Sequence, residues 1–158
     1  MKQLLFASTN KDKIREVQAM LSDYKVLSLL DFPEIKDVDE TASTLVGNAT
    51  LKAVEIATQV DLPVFSDDSG VFIDALDGFP GVHSARWTGT HRDYATQNDK
   101  ILDLMKNQTN RKAEYKTVVA FAHNNKINLF EGVMSLKVAH SESNTPGFSY
   151  DTIMKFND

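Results

Sequence analysis

The chain contains no cysteine. That excludes disulfides, thiolate nucleophiles and Cys-ligated zinc or iron–sulfur centres. It also lacks any long hydrophobic run. The N-terminal one, Leu4-Leu5-Phe6-Ala7, is four residues long. That is too short for the apolar region of a secretion signal, and no stretch approaches the ~20 apolar residues of a membrane span. A basic excess is missing too: 17 Lys and Arg face 22 Asp and Glu, for a formal charge of −5. Non-specific nucleic-acid and membrane-surface binding need a basic face, so neither partner is expected. A small anionic substrate is not excluded, because a few cations or a metal reverse a local field. The expected location is the cytoplasm, and the Asn-x-Thr triplets at Asn48 and Asn107 are chance matches.

What is present suffices for a core. Apolar side chains make up 42% of 158 residues, which predicts one domain spanning 1–158. No repeat, low-complexity segment or linker is visible. Leu4 to Ala7 reads as a buried strand. Ile14, Val17 and Leu21 recur at helical spacing, predicting a helix from Lys11 to Leu21 capped by Ser8, Thr9 or Asn10. Tyr24 to Leu30 reads as a second strand. Residues 31–40 hold five carboxylates and form a loop. Leu45, Ala49, Ala53, Ile56 and Val60 line a second helix, stopped before Pro63. Val64-Phe65 starts a strand that runs into Ser66-Asp67-Asp68-Ser69-Gly70. Gly78, Pro80, Gly81 and Gly89 mark an irregular segment. Ile101, Leu102 and Met105 predict a third helix. Tyr115 to Phe121 and Ile127 to Val138 form a long hairpin about residues 123–126, with Gly132 as a bulge. The order of elements predicts an α/β protein with a mixed sheet.

Five segments carry chemistry-bearing side chains. Ser8-Thr9-Asn10-Lys11-Asp12-Lys13 lies where a strand gives way to a helix, the end of the sheet where ligands bind. The N–H groups of a helix start attract phosphate, and Lys11 and Lys13 add full charges. It has no Walker A ending, and an ordinary capped helix competes as an explanation. Asp67-Asp68, followed by Ser69 and Gly70, is the second. Neighbours in a strand point to opposite faces, but a kink at Gly70 would bring both carboxylates to one site. Hard carboxylate oxygens suit Mg²⁺ or Mn²⁺, and a carboxylate beside a metal can deprotonate water. A surface Asx turn is the alternative.

The third is the acidic loop with Asp37, Asp39 and Glu40, followed by Asn48 and Lys52, which share a helix face. A solvated loop and a surface lysine are the ordinary alternatives. The fourth, residues 77–86, uses two glycines and a proline to deliver Arg86, a bidentate phosphate donor. His83 and His91 have no second His at ligand spacing and read as structural or solvent-facing. In the fifth, residues 145–151, Phe148 or Tyr150 offers a ring to stack on a base and Asp151 an acceptor for a purine N–H; a packed aromatic turn is the alternative.

Taken together, the ordered segments resemble the inosine triphosphate pyrophosphatases, which hydrolyse non-standard purine nucleoside triphosphates. The resemblance rests on Ser8-x-Asn10-x-x-Lys13 with Glu16, Glu40-Thr41, and Asn48-Ala49-x-x-Lys52-Ala53. It continues through Asp67-Asp68-Ser69-Gly70, Asp74-Ala75-Leu76, Gly78-x-Pro80-Gly81-Val82, Ser84-Ala85-Arg86, Phe130-Glu131-Gly132 and Gly147-Phe148-x-Tyr150-Asp151. Each piece is weak alone; the ordered set is specific.

The resemblance implies two lobes around a long curved mixed sheet, an active site in the cleft between them, and a homodimer. It implies conversion of ITP, dITP or XTP to the monophosphate and pyrophosphate, with Mg²⁺. Asp68 would be general base and metal ligand, with Asp67, Asp39 and Glu40 as further metal contacts. Residues 8–13, Asn48, Lys52 and Arg86 would hold phosphates, and Ser69 would contact substrate. Phe148, Ser149, Tyr150 and Asp151 would face the base. Ser149 and Thr152 replace the family's usual glycine and proline. The family's later lysine and Ser-His-Arg segment has no counterpart in these 158 residues. The expectation is base recognition that is reduced or supplied otherwise. The alternative function is a nucleotide-binding homologue with weak, absent or relaxed-specificity catalysis.

Overall fold

A computed structural model describes residues 1–88, 93–147 and 149–156. Among the described residues, seven strands form a mixed sheet of order β2-β1-β3-β5-β6-β7, with β4 paired to β3. They are β1 (Gln3–Phe6), β2 (Lys25–Ser28), β3 (Val64–Ile73), β4 (Pro80–Gly81), β5 (Lys112–His123), β6 (Lys126–Val138) and β7 (Met154–Phe156). Three α-helices accompany them among these residues: α1 (Lys11–Met20), α2 (Leu45–Ala57) and α3 (Tyr94–Leu104). None of the described helices is long and apolar enough to cross a membrane. The chain divides into two units, Met1–Asp68 with Thr117–Glu131, and Ser69–Lys116 with Gly132–Asp158.

In the first unit, β1 runs parallel to both β2 and β3, pairing Leu5 with Leu27 and with Val64. Neighbours on both edges pair its backbone, and parallel strands of this kind are covered on both faces by other layers. Leu5 packs with Ala7, Leu29, Ile35, Ile56 and Val64, while Phe6 packs with Ile14, Val26 and Phe65. The Phe6 and Phe65 rings stack at 4.9 Å. Burying each such side chain contributes about 1.5–3 kcal/mol. α1 starts at the cap the sequence offers: the Asn10 side chain accepts from the Asp12 and Lys13 N–H groups. α2 buries Leu45, Asn48, Ala49, Lys52, Ala53 and Ile56 along one face.

The second strand is shorter than its apolar pattern indicates. Ser28 caps a 3-10 turn at Leu29–Asp31, and the Asp31 carboxylate returns to the Ser28 N–H at 2.8 Å. That reciprocal pair takes the backbone out of the sheet. The hairpin turns on Asn124 and Asn125, with φ of 50° and 58°, the backbone that matches strand twist.

In the second unit, β4 lies antiparallel on β3 through Val71–Gly81 and Phe72–Pro80 pairs, and β7 antiparallel on β6. Its core gathers Val71, Ile73, Ile101, Met105, Ala113, Leu136, Val138, Tyr150 and Ile153. α3 begins earlier than its apolar residues suggest, because the Asp93 side chain caps it by accepting from the Thr96 N–H. Bonds from the Thr96 hydroxyl and N–H hold the Asp93 carboxyl below its usual range. The short β4 and β7 carry too little pattern to be read from sequence. β3 is unbroken through Gly70, so the expected kink is absent. Gly70 serves another need: a Cβ there would lie 2.4 Å from the Gly81 carbonyl oxygen. Gly89 lies outside the described residues.

Candidate active site

Without the kink, Asp67 and Asp68 follow ordinary strand alternation and address different helices. The Asp67 carboxylate meets Lys13 Nζ of α1 at 2.6 Å. Asp68, 7% exposed, accepts from Asn48 Nδ2 of α2 at 3.0 Å. The carboxylate pair therefore sits in a strand rather than a surface turn, and its partners include a cation, Lys13, and a neutral donor, Asn48.

Asn48 uses both ends of its amide. Its Oδ1 accepts from the Ala42 N–H at 2.8 Å, tying the end of the acidic loop to Asp68. One turn later Lys52, also buried, holds Glu40 at 2.7 Å and reaches Asp37 at 4.0 Å. Lys52 is thus no solvated surface lysine. Asp39 is exposed.

At the start of α1, Ser8 is buried and its Oγ accepts from the Asn10 N–H at 3.1 Å. The Asp12 and Lys13 N–H groups already bind Asn10 Oδ1. The backbone donors expected to cradle phosphate are therefore partly consumed by the cap, and the charge here comes from side chains. Thr9 and Lys11 are exposed. Asp12 pairs with Arg15 at 2.9 Å on the helix surface, and a carboxylate repels phosphate.

The second unit carries the remaining candidates. Ser69 follows Asp68 in β3. Arg86 and His83 are exposed on the turn after β4, and Ser84 Oγ there accepts from the Val71 N–H at 2.8 Å. Asp151 is exposed at the start of a 3-10 turn, Asp151–Ile153. Tyr150 is 4% exposed, so its ring is part of the core rather than a stacking face. Its hydroxyl donates to the Ser84 carbonyl and accepts from Trp87 Nε1. Burial pushes the phenol up to about 12, with the Trp87 hydrogen bond opposing. Phe148 and His91 lie outside the described residues.

A buried polar residue of α3 lies outside every one of the sequence motifs. Asn98 of α3 is buried, and its Nδ2 donates to the Ser149 carbonyl at 3.2 Å and to Thr152 Oγ1 at 3.0 Å. The signal was available: Asn98 sits three and seven residues before Ile101 and Met105, a polar side chain on an apolar stripe.

Among the described residues, no group of three or more His, Asp or Glu side chains converges as a ready-made metal cage. The donor chemistry of Asp67, Asp68 and Glu40 still fits Mg²⁺, which commonly takes one or two carboxylates and completes its shell with phosphates and water.

Residues 4–158 match the sequence model of the Ham1 family. The dITP/XTP pyrophosphatase of Flavobacterium psychrophilum is 42% identical over 154 residues, covering 97% of this chain and 81% of that protein. The dITP/XTP pyrophosphatase of Flavobacterium johnsoniae is 39% identical, with 97% and 80% covered. The solved Ham1 protein of Staphylococcus aureus superposes with a TM-score of 0.87 at 32% identity, over 98% of this chain and 81% of that one.

Proposed function

Because the chain belongs to the Ham1 family, we propose that it hydrolyses non-standard purine nucleoside triphosphates such as dITP and XTP to the monophosphate and pyrophosphate. The observation that carries the reading is Asp68: a buried carboxylate, held in one orientation by an uncharged amide. A general base must face the water it deprotonates, and the Asn48 amide fixes the direction in which this carboxylate points.

In this reading Asp68 takes a proton from a water. The water oxygen bonds to the α-phosphorus, the bond from that phosphorus to the bridging oxygen breaks, and pyrophosphate leaves. Lys13 and Lys52, already seated on carboxylates, and Arg86 balance the polyanion. Mg²⁺, held by Asp68 with Asp67 or Glu40, would supply Lewis-acid stabilisation of phosphoryl oxygen charge. Asp151 and the Ser149 backbone would meet the purine, where a 6-oxo group replaces adenine's amine. A site built for one pattern leaves polar groups unpaired with the other. The homodimer and the cytoplasmic location belong to the same proposal.

The test is product analysis with dITP, XTP and the standard nucleotides in H₂¹⁸O. Pyrophosphate release with ¹⁸O in the monophosphate is expected. Orthophosphate as first product, label in pyrophosphate, or binding without turnover would each overturn the reading.

A further inference from the structure

Residues 149–152 are held by polar side chains of Asn98 and Glu142, which lie outside the sequence motifs. Asn98, 2% exposed, donates to the Ser149 carbonyl and to Thr152 Oγ1, and reaches Glu142 Oε1 at 3.4 Å. Thr152 Oγ1 donates onward to Glu142 Oε1 at 2.7 Å. A carbonyl only accepts, so the Ser149 contact fixes which end of the Asn98 amide faces the loop, and with it the direction of the chain.

Two further facts separate this from ordinary packing. Asn98 Oδ1 is buried with no partner among the described residues, a cost that an apolar side chain beside Ile101 and Met105 would avoid. Ser149 stands at φ 58°, a left-handed backbone that a side chain disfavours. The bond from Asn98 falls on the carbonyl of that strained residue. Thr152 adds a steric stop: a Cβ on Gly147 would lie 3.2 Å from its Cγ2 and 2.9 Å from Asp151 Cβ.

We propose that Asn98, backed by Thr152 and Glu142, is a positioning residue for base selection: it holds Ser149 left-handed and so sets where the loop backbone and Asp151 meet the purine. This rests on the proposed reading that the loop faces the base.

The test uses the full chain and steady-state kinetics on dITP, XTP and ATP with pyrophosphate readout. Asn98→Ala is expected to raise KM for dITP and XTP about tenfold, the worth of a lost hydrogen bond. Little change in kcat should accompany this, and the preference over ATP should narrow. Thr152→Val, which keeps the methyl against Gly147 and removes the hydroxyl, should move KM the same way. In a Ser149→Gly background the effect of Asn98→Ala should shrink, because glycine takes this backbone unaided. A residue that only stabilised the fold would lower Tm and kcat together and would not respond to position 149, so that pattern overturns the proposal. Asp151→Ala separates the layers. If it raises KM while Asn98→Ala and Thr152→Val do not, the loop reading stands and the positioning role falls. If it leaves KM for every nucleotide unchanged, both fall.

Discussion

Asn48 Nδ2 donates to Asp68 Oδ2 across 3.0 Å, and the same amide accepts from the Ala42 N–H through Oδ1. The arrangement aims the Asp68 carboxylate and ties it to the end of the acidic loop. Asp68→Asn keeps the size and an acceptor for Asn48 but loses the proton-accepting oxygen. Its kcat should fall by about 10²–10⁴, the usual worth of a general base, while thermal unfolding stays close to wild type. Pyrophosphate assays and melting curves on the same preparation decide it, and near-wild-type turnover would remove Asp68 from the role of base.

Lys52 is a structural cation before any substrate arrives, since it holds Glu40 at 2.7 Å with only 10% of its side chain exposed. Lys52→Met keeps the apolar stem and removes the cation that faces the Glu40 carboxylate. A loss of about 1–3 kcal/mol is expected. At 2–4 °C per kcal/mol for a chain of this size, that is a fall in Tm of about 2–12 °C. Residues 31–40 should become more sensitive to protease. Double replacement with Glu40→Gln should restore much of the stability but not the affinity for triphosphate. An unchanged Tm in Lys52→Met would show that the pair contributes only at the surface.

The parts of the molecule legible in sequence are those set by local rules. α1 follows from Ile14, Val17 and Leu21 at helical spacing behind the Asn10 cap, and the hairpin from alternation about Asn124 and Asn125. Partner choice was not legible. Alternation says that Asp67 and Asp68 diverge, but not that one meets Lys13, 54 residues away, and the other Asn48. Tyr150 shows the same limit. Beside Asp151 it reads as a displayed ring, yet Trp87 and Ser84, 63 and 66 residues away, take its hydroxyl into the core. The Gly70 kink failed because a glycine's reason can lie in a chain segment that approaches it, here the Gly81 carbonyl. Gln97 and Asn98, both buried in the first turns of α3, are polar, so the apolar stripe that marks this helix in sequence starts only at Ile101.

Metal dependence has a specific expected form. With no described cluster of three or more ligands and three carboxylates already partnered by Lys13, Asn48 and Lys52, Mg²⁺ alone should stabilise the protein little. Mg²⁺ with a non-hydrolysable triphosphate should raise Tm by several degrees, since only a ligand bound to the folded state shifts the melting equilibrium. Chelation should abolish turnover, and added Mg²⁺ or Mn²⁺ should restore it. A large rise in Tm from millimolar Mg²⁺ without nucleotide would instead indicate a preformed metal site.

Tyr150 gives the fold a pH dependence with a defined sign. Its phenol is pushed up to about 12 by burial, from an ordinary value of 10.0. The folded state therefore prefers the neutral form. The stabilisation is complete below pH ~10, where the unfolded chain also keeps the proton. It is lost as pH rises through the folded value. Lysines titrate in the same range, so the contrast with Tyr150→Phe isolates the phenol. Phe lacks the bond to the Ser84 carbonyl and should be less stable at pH 8. From pH 10 to 12 the wild type should lose stability more steeply, so that the two denaturation midpoints converge. Parallel curves across that range would mean that the Tyr150 phenol ionises as readily in the folded protein as in the unfolded chain.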